Sequence, residues 1–240
     1  MHRQSPLLPS PARQLSGLAL TCSILFAAPA ALWDNTLYAQ ESEFPGEKVV
    51  HLLQEPRHRT VHQQGGLFLL DVQVNPGDTS YPHTHNQAIL ITYISNGAGP
   101  RNGDVSANTD YATTPVTHKI SNAGPGLLRI IALVNDGSGI QDLSGDRPSG
   151  LSVEPQLENP WFRSYRIELA PGEETLLQTH HNPTAIVQAN AGKVHVTRAD
   201  GITDELREPG AWAWRNSESG FRVRNAGTTR VAVVINEGRQ

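Results

Sequence analysis

Cysteine is nearly absent from this chain of 240 residues, which has only Cys22. One cysteine forms no internal disulfide and builds no thiolate cluster, so any metal site has to come from histidine or oxygen donors. Charge is sparse too, at 18% Asp, Glu, Lys and Arg with a net charge of -4. No basic cluster could follow a phosphate backbone, which argues against nucleic acid as a partner. Beyond residue 40 there is no long segment of 3.6-residue periodicity, and this excludes a helical bundle. The chain is instead rich in turn formers, 21 Gly and 17 Pro, and its 38% hydrophobic content suits an ordinary globular protein. Its length allows one large domain or two of about 100 residues each.

The first 39 residues read as a secretory signal peptide. Arg3 and Arg13 precede an apolar stretch from Leu15 to Leu32, and the small Ala39 stands before Gln40. Pro29 interrupts the apolar core, and cleavage near Ala30 is also open. A membrane anchor is the competing reading, but the uninterrupted run is short for a bilayer span. No stable span is therefore expected. Thr21, before Cys22, is not the small residue of a lipoprotein signal, and no adjacent arginines occur. The protein is expected to be exported unfolded by the general route, to be periplasmic or secreted, and to acquire any metal after export.

The chain then repeats itself. Pro76-Gly77 and Pro171-Gly172 stand 95 positions apart, and Leu70, Val72 and Val74 match Tyr165, Ile167 and Leu169 at that offset. Both stretches alternate apolar and polar residues, as a strand with one face in a core does. Asn122-Ala123-Gly124 answers Asn225-Ala226-Gly227, and Arg129 to Gly137 answers Arg230 to Gly238. Two copies of one antiparallel β module are expected, each closing into a barrel or jelly roll. Strands are expected at Leu67–Val74, Ala88–Ile94, His118–Ser121 and Leu128–Val134 in the first copy. The second offers Phe162–Leu169, Thr184–Asn190, Lys193–Arg198, Trp212–Trp214, Phe221–Arg224 and Arg230–Ile235, with a hairpin at Asp200-Gly201. Asp136 to Pro160, rich in Gly, Ser and Pro, reads as the connection. The expected division is residues 40–137, a linker at 138–160, and residues 161–240.

Chemistry concentrates in the first copy. His83 and His85 stand at i and i+2, so on a strand both imidazoles share a face. His118 follows 33 residues later and can return beside them. Imidazole is the usual neutral ligand of Zn, Fe, Cu and Ni. Taken alone, a His-x-His pair is more often polar packing than a ligand.

The glycine Gly77, five residues, His83-x-His85, then Gly97 twelve residues on, resembles the first motif of the cupin superfamily. His118 with Asn122 resembles the end of its second motif. Glu55-Pro-Arg-His-Arg and Glu158-Asn-Pro-Trp-Phe-Arg-Ser-Tyr-Arg, each leading to Pro-Gly, are similar to exported bicupins of unassigned function. The resemblance covers essentially the whole chain after the leader. It implies two tandem cupin-type antiparallel β-barrels of the double-stranded β-helix or jelly-roll kind, with one divalent transition-metal ion (Zn, Cu, Fe, Mn or Ni, not distinguishable) on His83, His85 and His118. The family's glutamate is missing, since Ile89 and Leu90 occupy its places, so three neutral imidazoles would leave the ion its full formal charge. An anionic or chelating small molecule is the expected partner, near Tyr81, Gln87 and Tyr93, with Asp78 close by. The resemblance also implies a homodimer through edge-strand pairing.

In the second copy Gln178, His180, Thr184 and Phe221 stand where His83, His85, Ile89 and His118 stand in the first. His181 is expected on the opposite strand face, and this copy is expected to be metal-free. Trp212 and Trp214 are expected to fill its core or rim, or else to line a pocket. His51, His58 and His62 read as solvated or packing residues, with His62 a weak candidate to support a metal ligand. Two functions stay open: a metal-dependent, dioxygenase-like enzyme, and a non-enzymatic binder of metal or a small molecule.

Overall fold

The computed structural model describes residues 44–240, and the expected signal peptide lies outside them. Strands dominate, as the turn-rich composition requires. A five-stranded sheet runs in the order His58–Gln64, Leu67–Val74, Leu128–Asn135, Ala88–Asn96, Pro100–Asn108. A second runs Leu157–Glu158, Phe162–Leu169, Val231–Gly238, Thr184–Gln188, Trp212–Arg215. In both the closing strand is paired on both sides at the centre, but the outer strand differs: Pro100–Asn108 follows Ala88–Asn96 directly, whereas two strands of another sheet intervene between Thr184–Gln188 and Trp212–Arg215.

Each five-stranded sheet has a smaller companion. Val50–His51, His83–His85 and Val116–His118 form one; Gln178–Thr179, Gly220–Asn225, Val194–Arg198 and Thr203–Leu206 form the other. The interior of the first group holds Leu70, Val72, Val74, Ile89, Ile130, Ala132 and Val134. That of the second holds Tyr165, Ile167, Leu169, Ile186, Val196, Phe221 and Val223, drawn from both of its sheets. Full burial of each Val, Leu, Ile or Phe side chain among them contributes about 2 kcal/mol. Closed barrels were expected, but among the described residues no sheet closes on itself. The companion strands are as short as two or three residues, too few for a continuous ladder, and each group is a sandwich of open sheets. Val50–His51 also pairs with His83–His85 in parallel, an exception to the antiparallel rule.

The two sandwiches bury faces against each other. Leu67, Leu69, Ala88, Leu90, Ile131 and Leu133 of the first cluster with Phe162, Ala185 and Val187 of the second. This is why Leu67–Val74 is buried on both faces rather than one. Trp212 and Trp214 pack here and not in the interior of their own sandwich, because Ala213 takes the inward position between them. Trp214 Nε1 donates to Gln64 Oε1 at 2.6 Å across the junction.

Among the strands of four or more residues, three escaped the sequence pattern. His58–Gln64, Pro100–Asn108 and Thr203–Leu206 are all sheet edges, exposed or half-buried along most of their length, and edges need no apolar alternation. The strand expected at His118–Ser121 lies at Val116–His118, since Ile120 is already bonded to Ser80, its carbonyl accepting from the Ser80 amide at 2.9 Å. Residues 138–160 are anchored on the second sandwich: Leu157–Glu158 is a strand, and Ser149 bridges Thr179.

Gly97 shows what one motif position does. Its φ is +81°, and a Cβ there would sit 2.0 Å from Asn122 Oδ1. Asn122 Nδ2 donates to the Val74 and Gly126 carbonyls, both at 2.8 Å, while its Oδ1 accepts from the Gly124 amide at 3.0 Å. A larger residue at position 97 would break that knot.

Candidate metal centre

Strand geometry assembles the centre. His83 and His85 point to one face of their strand, and His118 is the register partner of His83 across an antiparallel pair. Thr84 and Thr117 meet on the other face, with hydroxyls 2.8 Å apart. The three imidazoles are buried, and one nitrogen from each lies within 4.8 Å of the others. Among the described residues no other group of three such ligands occurs.

Hydrogen bonding fixes the tautomer of His83. Its Nδ1 donates to the Tyr81 carbonyl oxygen at 2.9 Å. A carbonyl only accepts, so Nδ1 carries the proton and Nε2 keeps its lone pair. That Nε2 is buried and has no partner, and neither has His85 Nδ1. His85 Nε2 and His118 Nε2 are 2.9 Å apart, which requires a proton on one of them. Burial drives the imidazolium forms out: the pKa of His83 falls to about 3 and that of His85 to about 2, each helped by the charge of neighbouring histidines. Neutral, lone-pair-bearing imidazoles with unsatisfied buried nitrogens fit a first-row divalent ion, whose arrival would replace the shared proton. No carboxylate joins the group; Ile89 and Leu90 are core residues.

A carboxylate does stand behind the centre. Glu55 is buried; its Oε2 accepts from His58 Nδ1 at 2.7 Å and from the Arg57 amide at 2.6 Å. Its Oε1 accepts from the Tyr81 amide at 3.2 Å. Burial alone would raise the Glu55 pKa, but His58 and the two amides outweigh it and hold it at about 2. The His58 ring lies 4.4 Å from that of His83. His58 was expected to be solvated or to pack, and neither it nor Glu55 was read as part of the site. His62, the expected supporter, is elsewhere: its ring lies 4.4 Å from Trp214 at the junction of the sandwiches.

The expected pocket residues are dispersed. Tyr81 supplies backbone groups while its side chain is exposed. Tyr93 accepts from Ser106 at 3.3 Å and lies under Arg101. Gln87 is half-buried, with its Oε1 lacking a hydrogen bond. Asp78 pairs with Arg57 at 3.5 Å. A cavity of about 350 Å³ opens instead beside Asn108, Asp110, Tyr111, Thr113, Thr114 and Val116. Tyr111 is buried with its ring 4.9 Å from His85, a contact no local pattern announces.

In the second sandwich Gln178 and Phe221 are register partners, as His83 and His118 are in the first. His180 is engaged at both nitrogens: Nδ1 meets Glu237 Oε1 at 2.5 Å and Nε2 meets Gln178 Oε1 at 2.9 Å. His181 faces away, exposed and bonded to Glu218 at 2.7 Å.

Two solved structures share this architecture. AerE from Microcystis aeruginosa is 9% identical over 74% of this chain and 90% of its own, with a TM-score of 0.52. A point mutant of salicylate 1,2-dioxygenase from Pseudoaminobacter salicylatoxidans is 12% identical over 72% of this chain and 71% of its own, with a TM-score of 0.50. The fold is of the cupin type. At these identities the likeness concerns the fold alone. No family model matches the sequence, and neither does any curated protein. No helix among the described residues is long and apolar enough to cross a membrane.

Proposed function

We propose that this protein is an exported bicupin that binds one divalent transition-metal ion through His83, His85 and His118 and acts as a dioxygenase-like enzyme on a small molecule. One observation carries the reading: three buried imidazoles converge within 4.8 Å, with His83 Nε2 bare and unpartnered. A divalent ion on three neutral imidazoles keeps its full charge and leaves positions open for water, oxygen or an anionic or chelating molecule. The chain's own part is to hold the ligands. The Tyr81 carbonyl keeps the His83 proton on Nδ1, and Glu55 holds the Tyr81 amide in place. Tyr111 and the cavity beside it offer the small molecule a seat next to His85. The shared fold of a salicylate 1,2-dioxygenase supports oxygen chemistry by analogy.

The repeat reading has support in matched detail. Asn225 Nδ2 donates to Leu169 and Thr229 carbonyls at 2.9 and 2.8 Å, and its Oδ1 accepts from Gly227 at 2.9 Å, as Asn122 does with Val74, Gly126 and Gly124. Export rests on the Arg3, Arg13 and Leu15-to-Leu32 pattern alone. The absence of a carboxylate from the cluster favours a second reading, a non-enzymatic metal or small-molecule binder.

Elemental analysis of protein purified from its native compartment tests the first claim. About one equivalent of metal is expected, lost in a His83→Ala, His118→Ala double variant. A wild type that takes up no metal even on reconstitution would end the proposal. Oxygen-electrode screening of the loaded protein with small aromatic and chelating acids then separates enzyme from binder.

A further inference from the structure

The second sandwich has its own polar interior, and one atom in it is out of place. Gln178, His180, Glu237 and Arg163 form a continuous hydrogen-bonded chain, with Arg163 NH1 3.3 Å from Glu237 Oε2. Arg163 goes on to Glu158 at 2.6 Å and to Asp146 at 3.2 Å. Every polar side chain along that path has a partner. Tyr165, next to it and 2% exposed, does not: its Oη is buried, and only the Arg147 guanidinium comes near it, outside good hydrogen-bond geometry. A buried hydroxyl left without a partner costs roughly 1–3 kcal/mol and calls for a ligand.

Tyr165 lines a cavity of about 360 Å³, shared with Arg147, Pro148, Leu151, Val153 and Glu154. This is the small end of the range of ligand pockets, roughly 300–1,000 Å³. The covering segment, residues 147–154, is pinned at both ends. Ser149 and Thr179 exchange two backbone hydrogen bonds of 3.0 Å, and the Gln156 amide donates to Ser164 at 2.8 Å. Gly150, with φ +75°, lies so close that a Cβ would sit 2.0 Å from the Leu177 carbonyl. The cavity therefore has a built wall, and Leu151 seats that wall on the core.

We infer that this cavity is a second binding site, independent of the histidine cluster, for a small monocarboxylic acid with an apolar body. Arg147 uses NH2 on Glu158 at 2.9 Å and lies beside the Tyr165 hydroxyl, so that guanidinium and hydroxyl can face one carboxylate together. Burial and the charge of Glu237 push the Tyr165 hydroxyl up to about 12, against the opposing pull of Arg163 and Arg147, so it stays protonated and donates. Pro148, Leu151 and Val153 supply the smaller, apolar part of a mainly polar lining. Glu154 on the exposed rim repels a second negative charge, which selects a monoacid over a diacid.

Calorimetric titration of the full-length protein with benzoate, phthalate and benzyl alcohol tests this. Benzoate binds saturably at one equivalent, and phthalate and benzyl alcohol bind about tenfold more weakly or worse. Tyr165→Phe removes only the unpaired hydroxyl, so its melting temperature holds while benzoate affinity falls about tenfold. Should that variant fail to fold, Arg147→Gln makes the same test from an exposed position and gives the same loss. His85→Ala leaves benzoate affinity unchanged. The inference is overturned if benzoate shows no saturable binding, or if His85→Ala abolishes binding that Tyr165→Phe and Arg147→Gln leave intact.

Discussion

Glu55 and His83 never touch, yet one residue's backbone joins them: Glu55 Oε1 accepts from the Tyr81 amide, and the Tyr81 carbonyl accepts from His83 Nδ1. His58, held by Glu55 at 2.7 Å, packs its ring 4.4 Å from His83 and closes the other side. The carboxylate missing beside the ligands is thus present one layer behind them. A glutamine at position 55 cannot accept from His58, Arg57 and Tyr81 at once, because one of its two terminal atoms only donates. Glu55→Gln should weaken zinc binding by about 10- to 100-fold and cost about 2 kcal/mol of stability. Competition with a chromophoric chelator measures the first effect and denaturant unfolding the second. An unchanged zinc affinity in a folded variant would reduce Glu55 to a packing role.

Acid should undo the metal-free protein early. His83 and His85 have folded-state pKa values of about 3 and about 2, against an ordinary 6.5. Below pH 6.5 the unfolded chain takes up protons that the folded chain refuses. Their contribution to stability is therefore complete above pH 6.5 and drains away as the pH falls towards 3. Urea unfolding of chelator-treated protein between pH 8 and 4 should show a falling midpoint from about pH 6.5 downward. In a His83→Phe, His85→Phe variant that slope should shrink; an equal slope in both proteins would assign the acid sensitivity to other groups.

The parts that were legible in the sequence are those with local periodicity. His83, His85 and His118 stood out because two-residue spacing on a strand places side chains on a common face, and the structure brings the three together. Leu70, Val72 and Val74 announced their strand in the same way. Glu55 and His58 gave no such sign, since their link to His83 crosses about 25 residues and runs through backbone groups. Pro100–Asn108 was hidden because an edge strand facing water needs no alternation. The tryptophan pair Trp212 and Trp214 was readable as one face, but which face met the core depended on the other sandwich.

The junction of the sandwiches can be probed at one buried pair. Asn236 Nδ2 donates to Thr92 Oγ1 at 2.8 Å, and the two residues are 1% and 0% exposed. Thr92→Val keeps the shape and strands the amide. A cost of about 1–3 kcal/mol is expected, read as a shifted denaturation midpoint. Both sandwiches should shift together in a single transition, because the lost bond belongs to both. Two separated transitions, only one of them moved, would show that the sandwiches unfold independently.

Asn122 and Asn225 allow the repeat to be tested energetically. Each is buried, each ties two carbonyls and one amide, and each carbonyl accepts from the glycine of a Pro-Gly turn: Gly77 at 2.8 Å and Gly172 at 3.0 Å. The Pro-Gly turn and the strand before the closing hairpin are thus held by one residue in both sandwiches. Alanine at either position takes the partner from three backbone groups, one of them buried, a loss of about 1–3 kcal/mol. The two single variants should lose similar stability, since the geometry they lose is the same. Asn122→Ala has a second consequence that Asn225→Ala lacks. It frees the Gly77 turn and the chain after His118, so it should also weaken metal binding, whereas Asn225→Ala should leave it alone. Unequal stability losses would argue against one ancestral module, and equal metal affinity in both variants would uncouple this knot from the histidine centre.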